Sequence, residues 1–287
     1  MSARKSRRRD SLSQFFCFCL LLLLALPEAR AQDYFGQTLI KPGTETFQLN
    51  LGGVVNQFDT KLEINGQTTR GTDVNLENNG LPHRKGSFDA GGTWRFYPRH
   101  RVDVEWFQTS RSGTRTYADS ITIGDNVYPV GATVAADTKY RFLLADYRYS
   151  FMKTDELELA GAIGFYGAHF SFDLNATGAQ AAGTARTSST SVSTPVPLPV
   201  VGITADWYVN QRLKLFGFVE GMKANIANVD GRVLVTGAAA EYMFTRGLGV
   251  GARYMYTDIN ADVTRTHFNG NLNWRMNTVA LYAKVLF

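Results

Sequence analysis

The chain has 287 residues, 30 Lys and Arg against 25 Asp and Glu, 44% hydrophobic residues and two cysteines. Cys17 and Cys19 and six of the basic residues fall within the first 31 positions, so the remainder carries no thiol and 24 basic residues against 23 acidic ones. That balance excludes a disulfide scaffold, a cysteine metal site and the electrostatic footprint of a nucleic-acid binder.

The N-terminus carries Arg4, Lys5, Arg7, Arg8 and Arg9, then the apolar run FFCFCLLLLLAL over residues 15–26, then Ala29-Arg30-Ala31. A basic start, a short apolar stretch and an A-x-A site together predict a signal peptide over 1–31, cleaved before Gln32. The apolar run is shorter than the roughly 20 residues of a spanning helix. No later stretch approaches 18 consecutive apolar residues, which leaves open a membrane barrel, whose strands are only half apolar. Residues 32–46 are a lead-in, and 47–287 are expected to form one domain.

From Phe47 onward, ten segments alternate with period two, at approximately 47–64, 86–97, 101–123, 127–151, 156–174, 196–209, 212–227, 231–245, 247–263 and 274–287. The joins alternate in kind. YPRHR (97–101), FMKTDE (151–156), VNQR (209–212) and FTRG (244–247) are tight and polar. Residues 65–86, the Ser/Thr/Ala/Gly tract 175–194 and residues 260–273 are long, and the tract lacks the apolar residues to order itself, so it is expected to be a mobile loop. GDN (124–126) closes a hairpin with unusually extended arms, and NVDG (228–231) is a tight-turn signal. Short turns on one rim and long loops on the other predict an all-β, closed, antiparallel up-and-down transmembrane barrel of ten strands, with eight or twelve as the alternatives.

Within each segment one stripe is apolar and the other holds isolated charges of both signs: Asp89, Arg95, Glu105, Arg111, Asp146, Arg148, Glu158, Asp206, Glu220, Glu241, Arg253 and Lys284. A lipid-facing Arg or Lys at mid-bilayer costs roughly 2–4 kcal/mol, so these charges are expected to face inward and pair into a lumen network. Trp94, Phe96, Tyr149, Phe151, Trp207 and Phe244 gather beside the tight turns, as an aromatic belt at the headgroup level would. In the first segment the apolar stripe changes face near Gly52-Gly53, from Phe47, Leu49 and Leu51 to Phe58, Leu62 and Ile64, which predicts a bulge.

The last segment ends ALYAKVLF, with Val279, Leu281, Ala283, Val285 and Phe287 on one face. With the N-terminal signal and the ten alternating segments, this ending resembles the Gram-negative outer-membrane β-barrel family. WRFYPRHRVDVEW (94–106) and SITIGDNVYPVGATV (120–134) are similar to stretches of small barrels in that group. The resemblance implies outer-membrane localisation, contact with outer-membrane lipid and lipopolysaccharide, and an assembly signal in those five C-terminal positions, read by the barrel assembly machinery.

Catalysis finds less support. His169-Phe170-Ser171 has the H-x-S spacing of outer-membrane lipid A deacylases, but residues 175–194 contain no acid and Asp173 is off that family's register. An omptin-like protease needs paired acids and a histidine at the outer rim; His83, His267, Asp73, Glu77, Asp258 and Asp262 are available with no spacing that singles out a site. His100 reads as a solvated rim residue, and no metal constellation or cofactor is expected. Arg70, Arg84, Lys85, Arg115, Arg141 and Arg265 are placed where lipopolysaccharide phosphates could reach them. The expectation is therefore a non-enzymatic barrel with a largely plugged lumen, serving envelope structure or surface contact. A narrow solute or ion pore is the alternative, and a hydrolase the second one.

Overall fold

The computed structural model describes residues 43–66, 70–78, 80–123, 126–128, 130–179, 185–226, 229–265 and 268–287. The expected signal peptide, all of the lead-in but its last four residues, and His267 lie outside these. In chain order the strands are β1 (Phe47–Ile64), β2 (Val74–Asn75), β3 (Arg84–Tyr97), β4 (His100–Thr116), β5 (Ile121–Ile123), β6 (Asn126–Tyr128), β7 (Thr133–Lys153), β8 (Leu157–Ala179), β9 (Ala185–Tyr208), β10 (Leu213–Ile226), β11 (Val229–Met243), β12 (Leu248–Arg265) and β13 (Phe268–Leu286).

Eleven of them form one antiparallel sheet in the order β13-β12-β11-β10-β9-β8-β7-β4-β3-β1-β2, and β13 also pairs with β1, so the hydrogen bonding returns on itself as a ring. The closing seam runs unbroken from Gln48↔Leu286 to Ile64↔Gly270. The chain end is held in it: the Phe287 N–H donates to the Phe47 carbonyl at 2.8 Å, and the Phe287 carbonyl accepts from Thr46 and Phe47.

Polarity inverts along the ring axis. Near the tight turns the outward side chains are apolar and exposed, among them Phe47, Leu49, Leu51 and Val55 on β1 and Leu281 and Val279 on β13, while inward positions hold Gln48, Lys284 and their charged neighbours. Farther along the same strands the outward positions become Gln57, Asp59, Lys61 and Glu63, and Arg275, Asn273 and Asn271, while Phe58, Leu62, Ile64, Met276, Trp274 and Leu272 are buried inside.

This inversion corrects the first segment. β1 has no bulge; its alternation and both of its registers continue through Gly52-Gly53. The apolar residues change stripe because what surrounds the strand changes, not because the backbone does. The irregularities of the ring sit instead at Arg95/Tyr97 and Ser150/Met152, both beside tight turns.

The long joins are corrected too. The tract expected to be a mobile loop is the two arms of a hairpin, paired from Leu174↔Thr190 to Ala179↔Ala185, with 180–184 outside the described residues. Residues 260–273 continue the alternation as the ends of β12 and β13, paired as far as Arg265↔Phe268. The extended GDN hairpin is present but interrupted: β5 and β6 pair from Ile121↔Tyr128 to Ile123↔Asn126 as a separate two-stranded unit, and its long arms are β4 and β7, paired as far as Thr116↔Thr133. β3 leaves β1 at Gln57↔Arg84, and above it β2 takes the same edge of β1 at Lys61↔Asn75 and Leu62↔Val74. The residues around β2 fill that part of the wall: Leu76 N–H donates to the Thr60 carbonyl at 2.8 Å, and Leu76, Glu77 and Leu81 are buried.

Candidate functional site

The half of the interior nearer the tight turns is lined by alternating charges. Arg95 bridges both oxygens of Glu158, at 2.9 and 3.1 Å, and Ser150 donates to the same carboxylate. Arg101 lies 3.8 Å from Glu158, 3.7 Å from Asp103 and 2.8 Å from Asp206. From Asp206 the chain of contacts passes to Lys214 at 3.2 Å, on to Glu241 at 2.8 Å, and from there to Lys284 at 2.6 Å. Arg148 sits between Asp103 (3.0 Å), Asp146 (3.7 Å) and Glu220 (3.4 Å), and the Tyr166 hydroxyl donates to Glu220 at 2.6 Å. Arg253 binds Glu105 through two bonds, at 2.5 and 2.7 Å, and Asp89 at 2.5 Å. Each ion has an opposite neighbour, which is the condition for burying any of them, since an ion stripped of its partner in such a place costs several kcal/mol.

Eleven of the twelve charges singled out in the sequence meet here. The twelfth, Arg111, does not: it lies in the other half of the interior, fully buried, 2.5 Å from Glu77, and donates to Tyr140 (2.8 Å), Thr60 (3.1 Å) and the Pro82 carbonyl (3.1 Å). Its guanidinium stacks 4.0 Å from the Phe58 ring centroid. Glu77 in turn accepts the Thr60 N–H at 2.6 Å, so the pair pins the β2 segment into the wall. Sequence reasoning missed Arg101, Asp103, Lys153 and Lys214. Arg101 and Asp103 share the face of Glu105 at every second position, a signal hidden because Arg101 was assigned to a turn.

Two cavities flank the chain of contacts. One, of about 110 Å³, lies among Asp103, Glu105, Asp146, Arg148 and Arg253; the other, of about 40 Å³, opens among the tight turns beside Tyr208, Arg212 and Met243. They share Lys214, Glu241 and Lys284 as their common wall. Gly164 has no side chain because Asp146 occupies the space: a Cβ there would meet an Asp146 carboxylate oxygen at 1.8 Å. On its far side the inner chamber ends at apolar groups, and beyond them Trp274 packs on Phe142 (4.9 Å between ring centroids), Phe170 (5.7 Å), Tyr140 (5.9 Å) and Phe58 (6.2 Å). Trp274, Tyr140 and Phe170 are wholly buried, and the buried Arg111 reaches the same cluster through the Tyr140 hydroxyl.

The remaining candidates are dispersed. Trp94, Phe96, Tyr149, Phe151, Trp207 and Phe244 are exposed on the outward face beside the tight turns, where His100 Nδ1 lies 2.6 Å from the Tyr147 hydroxyl. Val279, Leu281, Ala283, Val285 and Phe287 share the outward stripe of β13. His169, Ser171 and Asp173 share an outward stripe of β8, where the register places Arg141 and Pro195 opposite His169, and neither is a carboxylate. Glu77 points inward to Arg111 while Asp258 and Asp262 point outward, so the structure does not gather the acids of a protease site. Among the described residues no group of three or more His, Cys, Asp or Glu is arranged to hold a metal. Arg70 pairs with Glu63 at 3.1 Å; Arg84, Lys85, Arg115 and Arg141 are exposed; the Arg265 side chain lies outside those described.

No protein-family model matches the chain, and no curated protein does. Solved structures do. The outer membrane protease OmpT from Escherichia coli superposes with a TM-score of 0.57 at 9% identity, over 88% of this chain and 99% of that one. The attachment invasion locus protein Ail of Yersinia pestis gives 0.30 at 9% identity over 83% and 99%, and the translocator domain of the autotransporter NalP from Neisseria meningitidis 0.30 at 14% over 94% and 97%. At 9% identity the first likeness speaks for the fold alone: this chain has the antiparallel, ring-closed fold of a Gram-negative outer-membrane protein.

Proposed function

We propose that the chain is an integral outer-membrane β-barrel of ten strands, with β2 outside the count, that is non-enzymatic, carries a sealed lumen and serves envelope structure or surface contact. The observation that carries this reading is the inversion of polarity. Phe47–Val55 and Val279–Phe287 are each nine residues of apolar outward stripe, close to the 9–11 residues that take a tilted strand across a bilayer. The polar outward positions beyond them belong in water, on the side away from the tight turns. Closure of β1 on β13 removes the free strand edge that hydrocarbon does not tolerate.

Two barriers support a plugged lumen, the salt-bridged network and the aromatic core, rather than a pore. The exposed Arg84, Lys85 and Arg141 are the groups that lipopolysaccharide phosphates would meet, and the outward stripe of β13 is what the barrel assembly machinery would read. Fractionation with heat-modifiable gel migration, followed by planar-bilayer conductance of the same sample, tests the reading. Membrane-bound, heat-modifiable protein without discrete current steps is expected. Recovery of folded protein in a periplasmic extract without detergent would overturn it, and steady current steps would replace the plugged scaffold with the pore.

A further inference from the structure

Residues 43–46, ahead of the first strand, leave the wall and cross the tight-turn mouth. Thr46 is still held by both neighbours of β1: its N–H donates to the Phe287 carbonyl at 2.9 Å, and its carbonyl accepts from Arg95 at 2.8 Å. One residue earlier the chain turns inward. Glu45 is buried, accepts from the Gln48 side chain at 2.6 Å and borders the rim cavity beside Lys214 and Lys284. Gly43 lies over the Glu158 carboxylate of β8, four places from β1 in the ring order β1-β3-β4-β7-β8. A Cβ on Gly43 would fall 3.1 Å from Glu158 Oε2 and 3.2 Å from Lys153 Nζ. Its φ of +70° is in the left-handed region that favours glycine, and that turn lays the backbone on the carboxylate. Lys153, the last residue of β7, fastens this end: its ammonium donates to the Gly43 carbonyl at 2.8 Å and the Pro98 carbonyl at 2.6 Å, and stands 3.8 Å from Glu158. Beneath lie Glu158 and Ser150, which donates to it, 1% and 0% exposed. Glu158 does not depend on these residues for its charge balance, since Arg95 and Arg101 both reach it. What they supply is cover.

We propose that residues 43–46 are a strap that closes the Glu158 side of the tight-turn mouth, hinged at Thr46 and latched by Lys153. One end belongs to the sheet ladder, which fixes it; the other is tied to the rim by a single flexible side chain. Release of the latch lets Gly43 and Glu45 swing away while Thr46 stays in place, and admits water to the Glu158 end of the ion network. The 40 Å³ cavity on the other side of the mouth does not lie beneath Gly43 and keeps its own opening. Only the assignment of the mouth to one side of a membrane rests on the proposed outer-membrane setting; the strap does not.

Cys17 and Cys19 are the only cysteines of the chain, so with both changed to Ser one introduced thiol reports on one place. Ser150→Cys sets it under the strap with the exchange of a single atom. Met276→Cys sets it in the aromatic core, 1% exposed and far along β13 from the mouth. Full-length protein folded in detergent, checked by heat-modifiable migration, is labelled with a small cationic methanethiosulfonate. Ser150→Cys is expected to react slowly, and Lys153→Met in the same chain to speed it by about tenfold or more, the loss of one charge-assisted hydrogen bond. Gly43→Ala crowds Glu158 and forfeits the left-handed turn, so it should act in the same direction without touching the lysine. The rate at Met276→Cys should stay unchanged under both. Labelling of Ser150→Cys that neither substitution speeds would overturn the strap. An equal rise at Met276→Cys would overturn it too, because the whole ring would then be loosening. Failure of the membrane reading would appear in fractionation instead, with the ratio of labelling rates untouched.

Discussion

At the residue scale, the sharpest dependence is Arg111 on Glu77. Both side chains are essentially without solvent contact, and each also satisfies Thr60, so removing one leaves the other charged and alone. Arg111→Met is expected to cost about 3–5 kcal/mol in urea unfolding, and Arg111→Met combined with Glu77→Leu to recover most of it, because a buried pair is replaceable as a pair. A double-mutant cycle reads the difference; equal losses in the single and double variants would mean that the pair contributes nothing beyond packing. Space decides a second case. A Cβ on Gly251 would fall 2.3 Å from Cζ of Tyr282, whose hydroxyl donates to Glu241 at 2.8 Å, whereas one on Gly53 meets nothing within 4 Å. Gly251→Ala should therefore cost about 1–3 kcal/mol and Gly53→Ala less than about 0.5. Such close approaches are illegible in a sequence, where Gly251 reads only as a small residue in a strand. The inward charges were legible because period two separates them from apolar neighbours; their pairing was not, since Arg95 with Glu158 and Arg253 with Glu105 join residues 63 and 148 apart.

At the element scale, strands were legible where their outward stripe is apolar and illegible where it is polar. Ala261, Val263, Gly270 and Leu272 alternate with Asp262, Thr264, Asn271 and Asn273 as regularly as any stretch of the chain. They read as a loop because polar residues were assigned to joins, whereas here they are the wet outer face of strands with an apolar interior. The 175–194 tract hid differently. It carries no apolar stripe at all, and its strands are held by the backbone ladder of β8 with β9, to which Thr contributes β propensity. β10 pairs with β9 only from Lys214↔Tyr208 to Gly221↔Val201, so the far end of the hairpin adds nothing to the closing of the ring. Replacing residues 178–186 by Asn-Gly, which joins Thr177 to Thr187 through a two-residue turn, should leave heat-modifiable folding intact and change unfolding stability by less than about 1 kcal/mol. Failure to assemble would show that the extension is needed to align β8 with β9.

At the scale of the whole molecule, two barriers lie in series along one axis, and they differ in kind. The core around Trp274 closes its level with packed rings and the buried Arg111–Glu77 pair, while the Lys214–Glu241–Lys284 wall closes its own by pairing charges that could part. Barriers in series are governed by the tighter one, so relieving either alone should leave the lumen silent in planar bilayers. Trp274→Ala with Phe142→Ala removes the two stacked rings at the centre of that core, at a stability cost of about 3–5 kcal/mol for each large side chain. Glu241→Ala with Lys284→Ala removes one charge of each sign and leaves Lys214 its contact with Asp206 at 3.2 Å, so the wall opens without stranding an ion. Wild type and each pair of substitutions are expected to show no discrete steps, and the four substitutions together are expected to conduct. If the charged pair alone conducts, ions already pass the aromatic core and that half is no seal; if the aromatic pair alone conducts, the salt-bridged wall parts freely. Both results would be read on protein shown to be folded by heat-modifiable migration, so a loss of stability cannot be mistaken for a sealed lumen.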